Sequence, residues 1–303
     1  RNGEYLAQNR VCYDLMVIYR ELPREGFDTL QMLDLLGISR TKLERALRNA
    51  RMSPRIPYMV TNFISSEVKL RFDENDFPGF YTVYRTIRSY PRKIGGNLLG
   101  DVGEINERQL KMKRYADYRS GDYVGQSGVE KAYEEELRGK KGVKIMEKDT
   151  HGVVKGSYMD GMFDSLPEPG NYIVTTIDAR LQAFTEELMR GKVGAAVAIE
   201  PSTGEILMMV SSPTFDPDEM VGRHRGNNYM KMLYNKRQPM FNRAVKAKYP
   251  PGSTFKLVQG LIGLQEGVLT PADRHSCNGG FRYGHRMMKC HAHASPLDLR
   301  GAV

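Results

Sequence analysis

The stretch Lys248–Leu257 constrains the fold most strongly, because a Pro-Pro-Gly turn there leads directly into an apolar-periodic segment. The two prolines cannot continue a helix from upstream, and Gly252 permits a sharp turn. This pattern predicts a helix that begins at Ser253 and is capped by Gly267. Its apolar stripe would consist of Phe255, Leu257, Val258, Leu261, Ile262 and Leu264.

Ser253 and Lys256 fall in the first turn of this predicted helix. A serine hydroxyl is a weak nucleophile unless a base lies within hydrogen-bond reach, and a lysine three residues later lies on the same helix face. The free N–H groups and the positive dipole end would stabilise a developing oxyanion. The pair is therefore a candidate nucleophile and base, with a serine N-cap and a solvated lysine as the alternative.

The S-x-x-K spacing alone is weak support, because the sequence contains it three times. We interpret Ser39 as part of a helix start in which Thr41 and Glu44 form a capping box. Ser66 lies in a segment whose alternation predicts a strand, where residues three apart face opposite sides. The turn and the helix start favour only Ser253 as a nucleophile.

Five blocks of sequence resemble, in order, those of the class B penicillin-binding proteins. Arg1–Ala7 resembles the opening of their extracytoplasmic region, and Gly121–Gly139 resembles their pedestal signature. Gly194–Leu207 and Ser212–Pro217 resemble the entry to the transpeptidase domain, and Tyr249–Lys256 resembles the S-x-x-K block. Details of the first half are similar to the elongation-type members of the class.

The resemblance implies an α+β chain of two domains. Residues 1–170 would form an elongated pedestal, or dimerisation, domain with a helical head insert at about 28–95. Residues 171–303 would form the first part of a transpeptidase domain of the serine β-lactamase-like α/β type. The stretch 161–170 contains Pro167 and Pro169 and is the expected hinge.

Local patterns predict the secondary structure in more detail. Helices are expected at 28–37, 42–51, 104–118, 129–137 and 178–190. Strands are expected within 58–90, including 81–87, and at 142–159 and 172–176. A hairpin is expected from strands at 197–200 and 205–210, and the Ser253 helix would pack on it.

The function implied by the resemblance is that of a peptidoglycan D,D-transpeptidase of cell-wall elongation. Ser253 would be the acyl nucleophile toward a stem peptide, Lys256 would be the general base, and β-lactam antibiotics would acylate Ser253. The family's S-x-N and K-T-G blocks do not occur before Val303, and Ser276-Cys-Asn278 comes too early to replace one. We therefore expect the parent protein to be active and the chain as given to be inactive.

An alternative function is a non-catalytic one. The pedestal is large and lacks an obvious catalytic cluster, so this chain could instead act as a binding module. The resemblance implies a membrane glycosyltransferase and scaffold proteins of the elongation machinery as its partners. A β-lactamase or β-lactam sensor with the same S-x-x-K is disfavoured by the long pedestal.

A second candidate site contains two of the three cysteines. Cys277 and Cys290 lie in a hairpin-like stretch beside His293, and two thiolates with an imidazole suit tetrahedral zinc. His291 is the alternative to His293 as the third ligand. A disulfide between the two cysteines and two unpaired thiols are the competing interpretations, whereas Cys12 is expected to be an isolated thiol. Acyl transfer itself requires no cofactor.

Charge and hydropathy exclude some classes of protein. The net charge is +9, from 45 basic and 36 acidic residues, but no aromatic-interleaved basic stretch or finger motif favours nucleic-acid binding. No run of about 18 apolar residues is present. The start at Arg1 and the resemblance imply a single membrane anchor upstream, which would place this region outside the cytoplasm at the inner membrane.

Overall fold

The structure is a computed structural model that describes residues 1–150 and 154–303. Its internal contacts divide the chain into two compact units, Arg1–Lys246 and Ala247–Val303. Helices and strands are mixed in both units, so the predicted α+β class is confirmed. No helix in the described ranges combines the length and apolar character needed to span a bilayer.

Residues 8–89, called the head below, are built on a three-stranded antiparallel sheet with β1 in the middle. Because β1 precedes residue 28, this sheet extends beyond the predicted head insert at about 28–95. The pairing of β1 with β3 is continuous, whereas its pairing with β2 is irregular on both sides of Leu15. The predicted strand at 81–87 is confirmed as part of β3. The strands are β1 (Gln8–Val17), β2 (Tyr58–Ile64) and β3 (Phe80–Ser89).

Helix α1 (Thr29–Leu36) has both of the caps that its sequence predicts. The Asp28 carboxylate accepts a hydrogen bond from the Gln31 N–H at 2.9 Å. Gly37 adopts the left-handed conformation, with φ of +56°, and ends the helix. Met32 and Leu36 are buried against the sheet's core.

Helix α2 (Arg40–Met52) begins earlier than predicted. Its N-cap is Ser39, whose hydroxyl accepts from the Lys42 N–H, so the predicted capping box at Thr41 and Glu44 is wrong. Glu44 instead forms an ion pair with Arg40 at 2.9 Å. The structural interpretation of Ser39 as a helix-start residue is confirmed.

Ser66 begins helix α3 (Ser66–Asp73), so the predicted strand there is wrong. Strand β2 ends at Ile64, and the Ser65 hydroxyl caps the new helix by accepting from the Val68 N–H at 3.3 Å. Ser66 and Lys69 therefore share a helix. The Lys69 ammonium is paired with Asp73, one turn further along.

The core of the head lies between the sheet and the three helices. Its members are apolar side chains that the strands supply from one face and the helices supply at helical spacing. Phe27, Phe72, Phe77 and Phe80 add a group of ring contacts, with Phe72 and Phe77 stacked at 5.2 Å. The largest fully enclosed side chains of this core are Leu15, Val17, Met32, Leu43 and Ile64.

The rest of the pedestal contains short elements. The helix predicted at 104–118 is wrong, because Val102–Glu104 is a strand and Asn106 starts only one helical turn with a capping box to Gln109. The helix predicted at 129–137 is divided at Tyr133. These elements are α4 (Gly96–Leu99), β4 (Val102–Glu104), α5 (Glu107–Leu110), β5 (Tyr123–Gly125), α6 (Gly128–Ala132) and α7 (Glu134–Leu137).

The strands predicted at 142–159 are a hairpin of β6 (Met146–Lys148) and β7 (Val154–Ser157). Residues 151–153 of that prediction lie outside the described residues. Val143 and Ser165 form an isolated antiparallel bridge beside this hairpin, as do Lys140 and Glu168.

The signature Gly121–Gly139 places the carboxylates of Glu130 and Glu134 in the interior. Glu130 accepts two hydrogen bonds from the Arg88 guanidinium, at 2.9 and 3.1 Å, and one from the Tyr90 hydroxyl at 3.1 Å. Burial raises the pKa of Tyr90, and the Glu130 charge raises it further, so this phenol stays a donor. The carboxylate thus ties α6 to the end of β3.

Beyond the expected hinge, helix α8 (Ala179–Leu188) is capped by Asp178. The predicted hairpin is confirmed by antiparallel strands β8 (Gly194–Ile199) and β9 (Ile206–Ser212). The buried Gln182 amide donates to the Met209 carbonyl and accepts from the Met209 N–H, which joins the helix to the hairpin. Helices α9 (Arg225–Leu233) and α10 (Arg243–Lys246) complete the first unit.

The strand predicted at 172–176 is wrong. This segment pairs with no strand in the described chain, and its alternate side chains Tyr172 and Val174 are 92% and 88% exposed. The Thr176 hydroxyl instead donates to the Ile206 carbonyl at 2.7 Å. A strand needs a neighbouring strand to pair with, and the residues of the segment itself do not supply one.

The second unit contains one longer helix and a hairpin. A 3₁₀ turn at Gly252–Thr254 leads into helix α11 (Phe255–Gln265), and the predicted turn-to-helix transition is confirmed. The apolar side chains of α11 are exposed rather than packed, with Leu261 at 67%. The remaining elements are β10 (Gly280–Tyr283), β11 (Arg286–Lys289) and α12 (Leu299–Ala302).

We predict that Glu130→Ala lowers the free energy of unfolding by about 3 kcal/mol, because it leaves the largely buried Arg88 charge unpaired. Glu44→Ala, which removes the exposed pair with Arg40, is the control and should cost about 0.5 kcal/mol or less. Urea denaturation of both variants measures the difference. Equal losses would show that the Glu130 network does not stabilise the fold.

Candidate active site and metal site

Ser253 lies in the 3₁₀ turn Gly252–Thr254, and the α-helix predicted to begin at Ser253 begins two residues later, at Phe255. Gly252 before it has a φ of +62°, which turns the chain sharply and which a residue with a side chain would adopt only with strain. Ser253 is exposed, and its hydroxyl has no hydrogen-bond partner in the described residues. The hydroxyl is therefore accessible to a substrate from solvent.

Lys256 lies in the first turn of α11, three residues after Ser253. Its ammonium donates to the Ala302 carbonyl at 3.3 Å, which directs the side chain toward α12. The described contacts include no hydrogen bond between Lys256 and Ser253. The helix start places the two residues one turn apart, but the proton path between them is not formed in this conformation.

The two thiols of the second unit lie together with an imidazole. The sulfur atoms of Cys277 and Cys290 and a ring nitrogen of His293 all lie within 4.8 Å of one another. The hairpin produces this arrangement, since the Cys290 N–H donates to the Gly279 carbonyl at 3.0 Å, just beyond the β10–β11 ladder. Metal binding by the three residues stays a prediction.

The hydrogen bonds of His293 fix which nitrogen faces the thiols. Its Nδ1 lies 2.6 Å from the Ala294 carbonyl oxygen, which can only accept, so Nδ1 carries a proton. Nε2 lies 3.1 Å from the Cys290 sulfur. This orientation presents the Nε2 lone pair of the neutral ring to the two sulfur atoms, as a metal-ligating histidine requires. His291 is not part of this group.

The environment of Cys277 favours its thiolate. The Gly279 N–H and His293 both lower the pKa of the Cys277 thiol, and the Ala294 carbonyl and Cys277 together raise the pKa of His293. Sequence reasoning identified the three side chains but missed the two backbone groups that orient them. The Gly-Gly pair at 279–280 was the available signal, because it permits the tight turn beside the first thiol.

Protein-family models match most of the chain. Residues 1–175 match the penicillin-binding protein dimerisation domain, and residues 194–303 match the penicillin-binding protein transpeptidase domain. The chain therefore belongs to the penicillin-binding protein family, in the class that joins these two domains. The predicted division at residue 170 stays a prediction.

Curated relatives point to one group within that family. The peptidoglycan D,D-transpeptidase MrdA of Acinetobacter baumannii is 30% identical over 96% of this chain and 45% of its own length. The Escherichia coli K12 protein of the same name is 31% identical over 89% of this chain and 43% of its own length. The chain thus spans less than half the length of these relatives.

Solved structures share the fold. The complex of penicillin-binding protein 2 with MreC from Helicobacter pylori matches 95% of this chain and 55% of its own, with a TM-score of 0.70 and 24% identity. A peptidoglycan synthase complex that coordinates polymerization and crosslinking matches all of this chain and 52% of its own, with a TM-score of 0.65 and 29% identity.

We predict that iodoacetamide at pH 7 alkylates Cys277 about tenfold or more faster than Cys12 in chelator-treated protein. The lowered pKa of Cys277 increases its thiolate fraction, whereas burial, followed by the charge of Asp14, raises the pKa of Cys12. Peptide mapping by mass spectrometry measures both rates. In urea the two rates should converge, and equal rates in folded protein would contradict the prediction.

Proposed function

We propose that this chain is part of a peptidoglycan D,D-transpeptidase of cell-wall elongation that works through a serine acyl-enzyme. The observation that carries the proposal is the exposed Ser253 at a helix start, one turn before Lys256, inside the segment that matches the transpeptidase domain. The relatives named D,D-transpeptidase MrdA support the choice of reaction.

The proposed reaction has two acyl transfers. The Ser253 oxygen attacks the carbonyl carbon between the two terminal D-alanines of a stem peptide, and Lys256 accepts the hydroxyl proton as its neutral amine. The terminal D-alanine leaves as its amide nitrogen receives that proton from Lys256, which returns Lys256 to its neutral form. An amine of a neighbouring stem then attacks the acyl-enzyme, forms the cross-link and releases Ser253.

The geometry around Ser253 supports these roles. The exposed hydroxyl lies where the peptide N–H groups of a helix start are unpaired, which suits a carbonyl oxygen that becomes negative in the transition state. Lys256 needs only to leave the Ala302 carbonyl to turn toward Ser253, since side-chain rotamers interconvert rapidly at exposed positions. A β-lactam would acylate Ser253 by the same first step.

We predict that a fluorescent penicillin forms a stable adduct on Ser253 in the complete protein that carries this sequence. Ser253→Ala should abolish labelling. Ser39→Ala and Ser66→Ala are matched controls from the other two S-x-x-K segments, where the serine starts an ordinary helix, and they should label normally. Lys256→Ala should slow labelling by about 10²-fold or more. Labelling of Ser253→Ala would contradict the assignment of Ser253 as the nucleophile. Rapid loss of the adduct from the wild-type protein would indicate a β-lactamase.

We also propose that Cys277, Cys290 and His293 hold a structural zinc ion. Two thiolates and one imidazole are typical zinc ligands, and tetrahedral coordination needs ligand atoms about 3.5 Å apart. The present separations, all within 4.8 Å, require only small side-chain movements. The ion would brace the β10–β11 hairpin, and acyl transfer at Ser253 would need no metal.

We predict about one zinc per chain by mass-spectrometric metal analysis after dialysis. Cys277→Ser, Cys290→Ser and His293→Ala should each lower the zinc content by tenfold or more, because each removes one of three ligands. Cys12→Ser and His291→Ala are the matched controls and should keep the metal. If the wild-type protein contains no zinc and its mass is two daltons lower than that of the reduced chain, the two cysteines form a disulfide instead.

The pedestal supports a second, compatible role as a binding module. We propose that it engages a membrane glycosyltransferase and scaffold proteins of the elongation machinery, at the outer face of the inner membrane and beside an N-terminal anchor. The matched structures of penicillin-binding protein 2 with MreC and of a peptidoglycan synthase complex support this role.

We predict that the protein co-purifies with the glycosyltransferase from detergent extracts, and that Ser253→Ala does not change the yield. The acylation site lies in the second unit, whereas the pedestal belongs to the first. Quantitative pull-down measures both yields. Loss of the partner with Ser253→Ala would contradict a separate binding role.

A further inference from the structure

The end of helix α2 and the turn after it carry an unusual concentration of positive charge. From Arg45 to Ser66 the sequence has four arginines and no acidic residue. All four, Arg45, Arg48, Arg51 and Arg55, are exposed, and none has an ion-pair partner among the described residues. Arg40 at the start of the same helix has a carboxylate partner, as do Lys69 and Arg71 of α3, whereas these four charges remain free to contact something outside the chain.

Two apolar side chains project from the same place. Met52 is 84% exposed and Ile56 is 63% exposed, although each is adjacent in sequence to an arginine. The Ile56 N–H donates to the Ser53 carbonyl at 3.0 Å, and the Pro54 carbonyl accepts from the Arg20 N–H at 2.9 Å. These bonds hold the turn in a fixed shape, so the exposure belongs to an ordered part of the head.

The opposite face of α2 anchors this feature. Leu43, Ala46 and Ala50 are buried in the head core, so the helix cannot rotate to cover its arginines. The surface formed by Arg45, Arg48, Arg51, Met52, Arg55 and Ile56 is called the basic tip below. It combines fixed positive charge with apolar groups that lack a cover.

We propose that the basic tip binds the surface of an anionic phospholipid bilayer. Guanidinium groups pair with phosphate oxygens in a two-point geometry, and exposed apolar side chains between them can enter the boundary between headgroups and acyl chains. One partner of this kind satisfies both features. An acidic protein would match the arginines but would also need apolar pockets for Met52 and Ile56.

The binding is expected to be reversible and additional to any other membrane attachment. Each basic side chain near an anionic bilayer contributes about fivefold to the partition coefficient, so four arginines contribute a few hundredfold at low salt. Salt screens such contacts because the Debye length falls from about 10 Å at 0.1 M to a few Å near 1 M. No residue of the candidate active site takes part, so this proposal does not depend on the acyl-transfer proposal.

The test is sedimentation of the whole chain with sucrose-loaded vesicles of phosphatidylcholine containing about one third phosphatidylglycerol. Wild type should bind these vesicles at 0.1 M NaCl, bind pure phosphatidylcholine vesicles weakly and dissociate at 0.5 M NaCl. The combined variant R45Q/R48Q/R51Q/R55Q should bind at least 100-fold more weakly. The variant M52S/I56S keeps all charges and should bind about tenfold more weakly.

The matched control is R108Q/K111Q/K113Q/K131Q, which also removes four exposed positive charges from the first unit. Each of these residues lies within four positions in sequence of Glu107, Asp117 or Glu130. Its binding should stay within about threefold of wild type. Circular dichroism confirms that each variant is folded. Equal losses in the control and arginine variants, or absence of wild-type binding to the anionic vesicles, would overturn the proposal. Capture on polyglutamate without vesicle binding would also overturn it, in favour of an acidic protein partner.

Discussion

The buried carboxylate of Glu130 is the interaction on which the first unit most depends. It accepts hydrogen bonds from Arg88, in β3, and from Tyr90, just after β3. Glu130 itself lies in α6, within the signature Gly121–Gly139. An enclosed ion pair is stable only when its hydrogen bonds are complete, so these partners must meet in one arrangement. Asp101 repeats this principle nearby, because it is 2% exposed and pairs with Arg225 of α9 at 2.6 Å.

The candidate sites of the second unit depend on local geometry instead. A left-handed glycine and a helix start expose the Ser253 hydroxyl, and a short hairpin brings Cys277 and Cys290 beside His293. Both arrangements come from residues close together in sequence. Because the arrangements are local, they do not require the apolar face of α11, the longest helix of this unit, to be buried.

Local signals predicted elements whose ends are defined by side chains within the same segment. Asp28 and Gly37 bound α1 as expected, and the hairpin of β8 and β9 was found from two apolar runs around a turn. The strand expected at 172–176 failed because pairing needs a neighbour that the segment does not contain. Ser66 was assigned to a strand because its alternation continued past Ile64, whereas the Ser65 cap ended that strand.

The sequence by itself determined the α+β class, the turn that leads from Ser253 into helix α11 and the three side chains of the thiol cluster, because turns, caps and periodicity act over a few residues. Only the tertiary structure decided which charges are paired. It paired Glu130 with the largely buried Arg88 and directed Lys256 toward Ala302. It also left four arginines without an ion-pair partner in the described chain, Arg45, Arg48, Arg51 and Arg55. Pairs such as Arg88 and Glu130 join residues that are distant in sequence, and no local pattern specifies which of those residues meet.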